Sequence, residues 1–359
     1  IERMKRDFGR DICINVQAWW FDQLLGGRRY KHPEIYKLIE RQQKIAKFAY
    51  SRDRRKNSEI ALIFDEESAQ AVSFKTTRDL IEVTRNYEIA HIGAPADEYF
   101  HNDMANPDMP SYKLYVFLNT FVLTDEERKA IINKLKKDNA VALWVYAPGI
   151  INPNGRKKLC SENIKNLTGI NTVVSEKIYH SKFRVNPEAH PMLKAFDKRK
   201  LYGRFDRRRY YCIGYHMNRA DLSWDSYICP VIYSDDKDAV AGAKFAGSEM
   251  PAVTIKEMDG WTSVLYGSKV ITGDIIKEIA RYAGCHIYCE SDDVLYANRE
   301  FITIHASSTG KKELKFQSEC SPYELYENKY YGRSVKEISF DMQIGETKMF
   351  SIAERKPNF

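Results

Sequence analysis

Between Ser58 and Gly149 the chain alternates short unbroken apolar runs with stretches whose apolar residues recur at helical spacing. Ile60 to Phe64, Leu114 to Leu118 and Val141 to Tyr146 are the runs. Such a run has no polar face, which suits a strand covered on both sides, as in a parallel sheet. A further strand is expected near Ile89 to Ile92, after a helical stretch that ends about Asn86. Thr124-Asp125-Glu126-Glu127 reads as a capping box that opens a helix with Ile131, Ile132 and Leu135 as its buried stripe. Its acidic residues lie at the positive end of the helix dipole, and Lys134, Lys136 and Lys137 lie toward the negative end. Strand and helix alternating at this spacing predict an open, doubly wound α/β sheet.

Upstream, a helix-like start leads into the apolar run Ile12 to Phe21, which predicts a strand, and then into a Gly26-Gly27 turn. Pro33 opens a helix with Ile35, Leu38, Ile39, Ile45 and Phe48 at helical spacing. These pieces cannot bury both their faces alone, so the segment is expected to need a partner that is missing from this chain. Residues 150–235 carry a weaker pattern, with a short helix from Ser161 to Leu167 stopped by Gly169. Strands follow at Ala252 to Ile255 and Trp261 to Tyr266, then a helix from Ile275 to Ala283 ending at Gly284. The tail alternates like antiparallel β structure at Val294–Tyr296, Phe301–His305, Glu313–Phe316, Val335–Phe340 and Thr347–Ile352. The expected divisions are residues 1–57, 58–288 and 289–359.

Composition narrows the chemistry. A 359-residue chain with 43% hydrophobic residues can fill a core in two or three domains. The net charge of +7 arises from 56 basic and 49 acidic residues, a small excess on a mixed-sign surface. The clusters Arg52 to Lys56 and Arg204 to Arg209 read as solvated surface, and no nucleic-acid partner is expected. No apolar run approaches the length of a membrane span, so no membrane partner is expected either. The first residues show neither a signal-peptide core nor a methionine at position 1, and the start reads as an interruption. The sequon Asn166-Leu167-Thr168 matters only on export.

The seven cysteines are scattered and odd in number, which points to reduced thiols. Cys285, His286 and Cys289 offer three metal-ligating side chains, but alternation in a strand would turn His286 away from the other two. No metal and no cofactor are expected. Asp65, Glu66 and Glu67 could meet a cation or a partner, although capping of the following helix is the plainer reading.

Taken in order, the pieces resemble glycoside hydrolase family 42 and its relatives. The resemblance rests on Ala18-Trp19-Trp20-Phe21-Asp22-Gln23 with Gly26-Gly27, on Ile60 to Ser68, Tyr112 to Phe121 and Val141 to Gly149, and on Gly260 to Val264 through Tyr288. It implies the end of a TIM barrel, then an amidotransferase-like (flavodoxin-like) open α/β domain that makes trimer contacts, then a small antiparallel β domain. It also implies a retaining β-glycosidase of β-galactosidase type acting on a carbohydrate substrate, in a homo-oligomer. That chemistry needs two carboxyl groups about 5 to 5.5 Å apart. In the family both lie on earlier barrel strands, so neither catalytic residue is expected in this chain, and Glu2, on a preceding helix, should point away from the barrel mouth.

What the chain would then supply is substrate binding. Trp19 or Trp20 could offer an aromatic platform to a sugar ring, Asp22 could accept hydrogen bonds from hydroxyls, and Tyr30 lies in the loop beyond. The residues after this strand, Arg28 to His32, do not match the family's sugar-binding residues. Amidotransferase-like folds can carry a cysteine nucleophile in a strand-to-helix elbow, yet the matching turn here, Leu118-Asn119-Thr120-Phe121, has no thiol. A second reading is a carbohydrate-binding or oligomerisation module without catalysis. A third is a stand-alone hydrolase dependent on Cys160 or Cys212.

Overall fold

The computed structural model describes residues 1–20, 30–155, 159–204 and 227–353. Two compact units emerge: Glu59–Ile89 with Ala96–Cys285, and Ile1–Ser58 with Ala90–Pro95 and the residues from His286 onward. This division differs from the expected one, because residues 1–58 and the C-terminal β strands share a unit.

The first unit, from Glu59 to Cys285, is built on an eight-stranded sheet. Strands β1 (Ile60–Phe64), β2 (Ala96–Phe100), β3 (Leu114–Phe117) and β4 (Val141–Val145) lie in the order β2-β1-β3-β4 and are parallel. The strand Trp261–Tyr266 pairs in parallel beside β4 and extends this half to the 2-1-3-4-5 order of flavodoxin-like sheets. Beyond it Pro251–Met258, Val240–Phe245 and Phe183–Val185 continue the sheet antiparallel.

β1, β3 and β4 are buried almost throughout, as their unbroken apolar sequences require. Phe117 stacks on Trp144 at 4.1 Å, and the Trp144 indole N–H donates to Ser263 Oγ, so the largest core side chain also has its polar atom partnered. The helix Asp125–Asp138 starts at the predicted capping box: Thr124 Oγ1 accepts from the Glu127 N–H, and Glu127 Oε2 accepts from the Thr124 N–H.

The strand expected near Ile89 is instead a turn of 3-10 helix, Ile89–His91, which continues the helical stretch. The strand lies at Ala96–Phe100. As an edge strand with an alternating, half-exposed sequence it gives no apolar run to read.

In the second unit, helix α1 (Glu2–Cys13) lays Phe8, Ile12 and Cys13 against an antiparallel sheet containing Val294–Ala297, Phe301–His305 and Thr347–Ser351. Gly9 permits this approach: a Cβ there would stand 2.4 Å from Thr303 Oγ1. Asn298 Nδ2 donates to the carbonyls of Ile12 and Cys13, capping the helix end, and Asn15 turns the chain at φ 63°. The strand predicted from Ile12 therefore does not form among the described residues. Ile12 and Cys13 complete a helical stripe, and residues 14–20 have no regular structure.

Helix α2 (Pro33–Tyr50) has Pro33 at its first turn and buries Leu38, Gln42, Ile45 and Ala49. Its Ile45 and Ala49 join the same core as Phe8, Phe301 and Met349. The N-terminal segment, expected to lack a partner, thus has one in the C-terminal sheet. Glu2 is engaged locally: Oε2 accepts from the Thr347 N–H, and Oε1 pairs with Lys5 at 2.7 Å. A long antiparallel pair, Gly310–Cys320 with Val335–Met342, completes the unit.

Candidate functional site

In the flavodoxin-like order, ligands bind outside the carboxyl ends of the strands where the order reverses, here between β1 and β3. In this chain that crevice is closed by polar side chains bonded to main chain. β1 runs into Asp65, whose carboxylate accepts from the N–H groups of Glu67 and Ser68 at 3.0 and 3.1 Å, a helix cap as the plainer reading required. Asn119, at the end of β3, bridges to Asp65 twice, accepting from its N–H at 2.9 Å and donating to its carbonyl at 2.6 Å. Ser68 Oγ donates to Asp65 and accepts from the N–H groups of Phe121 and Val122, both at 2.8 Å.

Asp65, Ser68, Asn119 and Thr120 are all at most 3% exposed. His101 extends the cluster, with Nε2 2.9 Å from Glu127 Oε1 and Nδ1 3.5 Å from Asp65 Oδ1. Burial opposes ionisation of Glu127, but hydrogen bonds from Thr124 and His101 outweigh it and hold the carboxyl below its ordinary range. The turn Leu118 to Phe121 is a clasp held through Asn119 and Ser68, within which the buried Thr120 Oγ1 has no partner among the described residues.

The aromatic stretch of the other unit is built the opposite way. Trp19 is 78% exposed, while Trp20 is half-buried against the core of Phe8, Ile12 and Ile45. Tyr30 meets Trp20 edge-on, with ring centroids 6.4 Å apart. Of the sugar-binding candidates, the structure thus brings Trp20 and Tyr30 together, while Trp19 is largely exposed. Asp22 lies outside the described residues. A flat exposed indole held by a packed neighbour is a surface on which the apolar face of a pyranose can stack.

The remaining candidates dissolve into local partners. Cys285 Sγ donates to the Glu59 carbonyl, and burial pushes its thiol up to about 12. Cys289 Sγ lies 3.0 Å from Ser291 Oγ, and His286 Nε2 lies 3.0 Å from the Lys315 carbonyl. No group of three or more His, Cys, Asp or Glu residues among the described residues could hold a metal ion. In the basic linker Arg52 pairs with Glu300 at 2.7 Å, while Arg55 and Arg299 both meet Asp53. Of the second basic cluster, residues 205–209 lie outside the described residues, as does Cys212. No described helix is long and apolar enough to cross a membrane.

One further feature gave no sequence signal. A polar groove of about 470 Å³ lies between the start of the helix Ser161–Thr168 and residues 235–238. Its residues come from three separate stretches of the chain, so no motif spacing could have announced it.

No family model matches the sequence, and comparison with curated proteins gives no match. Solved structures do match in fold. A GH42 β-galactosidase from G. stearothermophilus, in a catalytic-mutant form, superposes with a TM-score of 0.60 at 12% identity, over 94% of this chain and 47% of that one. A β-galactosidase from Bacillus circulans sp. alkalophilus gives 0.59 at 10% identity, over 89% and 45%. The β-galactosidase of the Antarctic haloarchaeon Halorubrum lacusprofundi gives 0.53 at 10% identity, over 88% and 43%. The chain spans less than half the length of each of these enzymes. At such identities the likeness is one of fold: a mixed α/β chain, with a parallel-strand sheet and antiparallel β sheets, similar to GH42 β-galactosidases, as the order of its sequence segments anticipated.

Proposed function

We propose that this chain is the C-terminal part of a retaining β-glycosidase of β-galactosidase type, supplying a sugar-contact segment and assembly domains to a catalytic barrel formed by other residues. The observation that carries this reading is the fold likeness over about nine-tenths of the chain to enzymes of which it spans less than half. In it, the unit from Glu59 to Cys285 is the amidotransferase-like domain that brings subunits together as a trimer. The clasp at Asn119 and Ser68 supports a structural part for that turn, which carries no thiol. The segment of Trp19, Trp20, Asp22 and Tyr30 meets the carbohydrate, with Trp19 stacking on a sugar ring and Trp20 fixing the segment to its core. The two catalytic carboxylates, about 5 to 5.5 Å apart in a retaining enzyme, are contributed from outside this chain.

The test is hydrolysis of an aryl β-galactoside by this chain and by a longer protein that includes the sequence encoded upstream. Turnover in the longer protein alone is expected, with kcat/KM reduced roughly ten-fold by Trp19→Ala, the loss of one stacking contact. Turnover by this chain alone, or none in either protein, would refute the proposal.

A second reading, a carbohydrate-binding or oligomerisation module with no catalytic partner, is favoured by one observation. α1 and α2 already bury their apolar stripes on the C-terminal sheet, so the segment has a core of its own. It predicts sugar binding or self-association by this chain that is unchanged when upstream sequence is added.

A further inference from the structure

The turn 298–300, which joins Val294–Ala297 to Phe301–His305, is bonded to the N-terminal segment by each of its residues. Asn298 is wholly buried, and its Nδ2 donates to three carbonyls, those of Ile12, Cys13 and Arg54, at 3.1, 3.2 and 3.4 Å. Its Oδ1 accepts from the N–H groups of Glu300 and Phe301 at 3.1 and 2.9 Å, which fixes the turn itself. The Arg299 N–H donates to the Arg55 carbonyl at 3.2 Å, and Glu300 pairs with Arg52 at 2.7 Å. One amide thus commits its whole hydrogen-bonding capacity to tying a turn of the C-terminal sheet to the end of α1 and to the stretch after α2.

Residues 14–20 leave this joint without regular structure, yet they are pinned at three points. Asn298 binds the Cys13 carbonyl just before them. The Val16 N–H donates to the Asp11 carbonyl at 2.9 Å, and the Val16 carbonyl accepts from Arg54 Nη1 at 3.5 Å. Trp20 packs on the core of Phe8, Ile12 and Ile45. Arg54 is placed by the same joint: Asn298 holds its carbonyl, and its guanidinium stands 4.6 Å from the centroid of the Tyr50 ring. Asn298 therefore acts on the segment twice, directly at Cys13 and through Arg54 at Val16, three residues before Trp19. Ordering an irregular stretch costs backbone entropy that no ladder of hydrogen bonds returns, so anchors placed there serve the side chains it carries.

We infer that Asn298 is a positioning residue for the sugar-contact segment: it sets where Trp19 stands, and with it the affinity for the sugar, without touching the sugar itself. The inference rests on the proposed function, in which Trp19 meets the carbohydrate. Asn298 is buried and has no group left for a ligand, so it reaches the site only through Cys13 and Arg54. Loss of the joint displaces the aromatic platform and not the reacting carboxylates, so substrate and transition state lose binding alike.

The test uses two variants. Asn298→Asp keeps the acceptor for Glu300 and Phe301 but sets an oxygen against three carbonyls, whereas Arg54→Ala removes only the contacts at Val16 and Tyr50. Both are read in this chain by fluorine NMR after incorporation of fluorotryptophan, with one line for each of the five tryptophans. The Trp19 line, identified by its loss in Trp19→Ala, is expected to shift and narrow in each variant, while those of Trp144 and Trp261 stay unchanged. In the longer protein Asn298→Asp should raise KM for an aryl β-galactoside about three- to ten-fold with kcat held within about two-fold. On a Trp19→Ala background it should add less than about 1.5-fold, because both changes act on one contact. Should Asn298→Asp fold poorly, Arg54→Ala takes its place, with a rise in KM of about two-fold. An unmoved Trp19 line, a fall in kcat per total protein at unchanged KM, or KM effects that multiply with those of Trp19→Ala overturns the inference. No turnover in the longer protein, or an unchanged KM in Trp19→Ala alone, refutes the glycosidase reading instead, and the Trp19 line still decides whether Asn298 places that side chain.

Discussion

The carboxyl end of the parallel sheet and the aromatic stretch before Tyr30 are the two places where this sequence suggests ligand chemistry, and they are constructed oppositely. At the sheet end, Asp65, Ser68 and Asn119 are buried and spend their polar atoms on nearby main chain. At the aromatic stretch one large side chain is packed and its neighbour is largely exposed. Residue type alone does not separate these outcomes, because acidic, hydroxyl and amide groups at strand ends are also what an active site is made of. The number of internal hydrogen bonds each group makes does separate them. A group that has used its capacity on the fold has none for a ligand, and its removal costs stability; an exposed group shows the reverse.

The largest effect should come from the clasp. Asn119→Ala leaves the Asp65 N–H and carbonyl buried without partners and should destabilise the Glu59–Cys285 unit by about 2–4 kcal/mol. Hydrogen exchange read on β1 and β3 checks it, and unchanged protection there would mean that the crevice is open to water after all. Next is Gly9→Ala in the other unit. The added methyl would overlap Thr303 and cost roughly 1–3 kcal/mol, seen as faster exchange in α1 and Phe301–His305 with no change in the parallel sheet. Trp19→Ala, by contrast, should change stability by no more than about 0.5 kcal/mol while lowering sugar affinity, as fits an exposed side chain. A loss of stability as large as that of Asn119→Ala would erase the difference between the two regions.

How far the sequence foretold these regions follows from how local their causes are. β1, β3 and β4 are continuous apolar runs, and the capping box at Thr124 lies within four residues, so both were legible. β2 was displaced because Ala96–Phe100 is an edge strand of mixed polar and aromatic residues, with Asp97 buried and Glu98 and Phe100 exposed, so it offers no apolar run. The run from Ile12 to Phe21 looked like a strand because its apolar residues are contiguous. What decides for helix is Asn298, almost three hundred residues away, which satisfies the carbonyls of Ile12 and Cys13. The missing thiol at Leu118 to Phe121 could be read directly, but the reason the turn is closed could not, since Ser68 reaches it from another helix. The groove was invisible for the same reason: its frame depends on Asn171 meeting Asp236.

The smallest expected effect concerns the contact that holds the N-terminal segment. His305 Nδ1 lies 2.8 Å from Thr347 Oγ1, whose hydroxyl donates to the Glu2 carbonyl, so the ring belongs to the joint between α1 and the sheet. Burial lowers the imidazole pKa below 6.5; Arg6 and Arg3 reinforce the shift, and Glu2 and Asp7 oppose it. The folded state therefore disfavours the charged ring. Its contribution is complete above the unfolded value of 6.5 and declines as pH falls through the lower folded value. Exchange in α1, corrected for intrinsic rates, should accelerate between about pH 7.5 and about pH 5.5, with a smaller change in His305→Gln, which cannot take up a proton. Loosening of α1 toward high pH, or an equal response in His305→Gln, would show that His305 does not govern the joint.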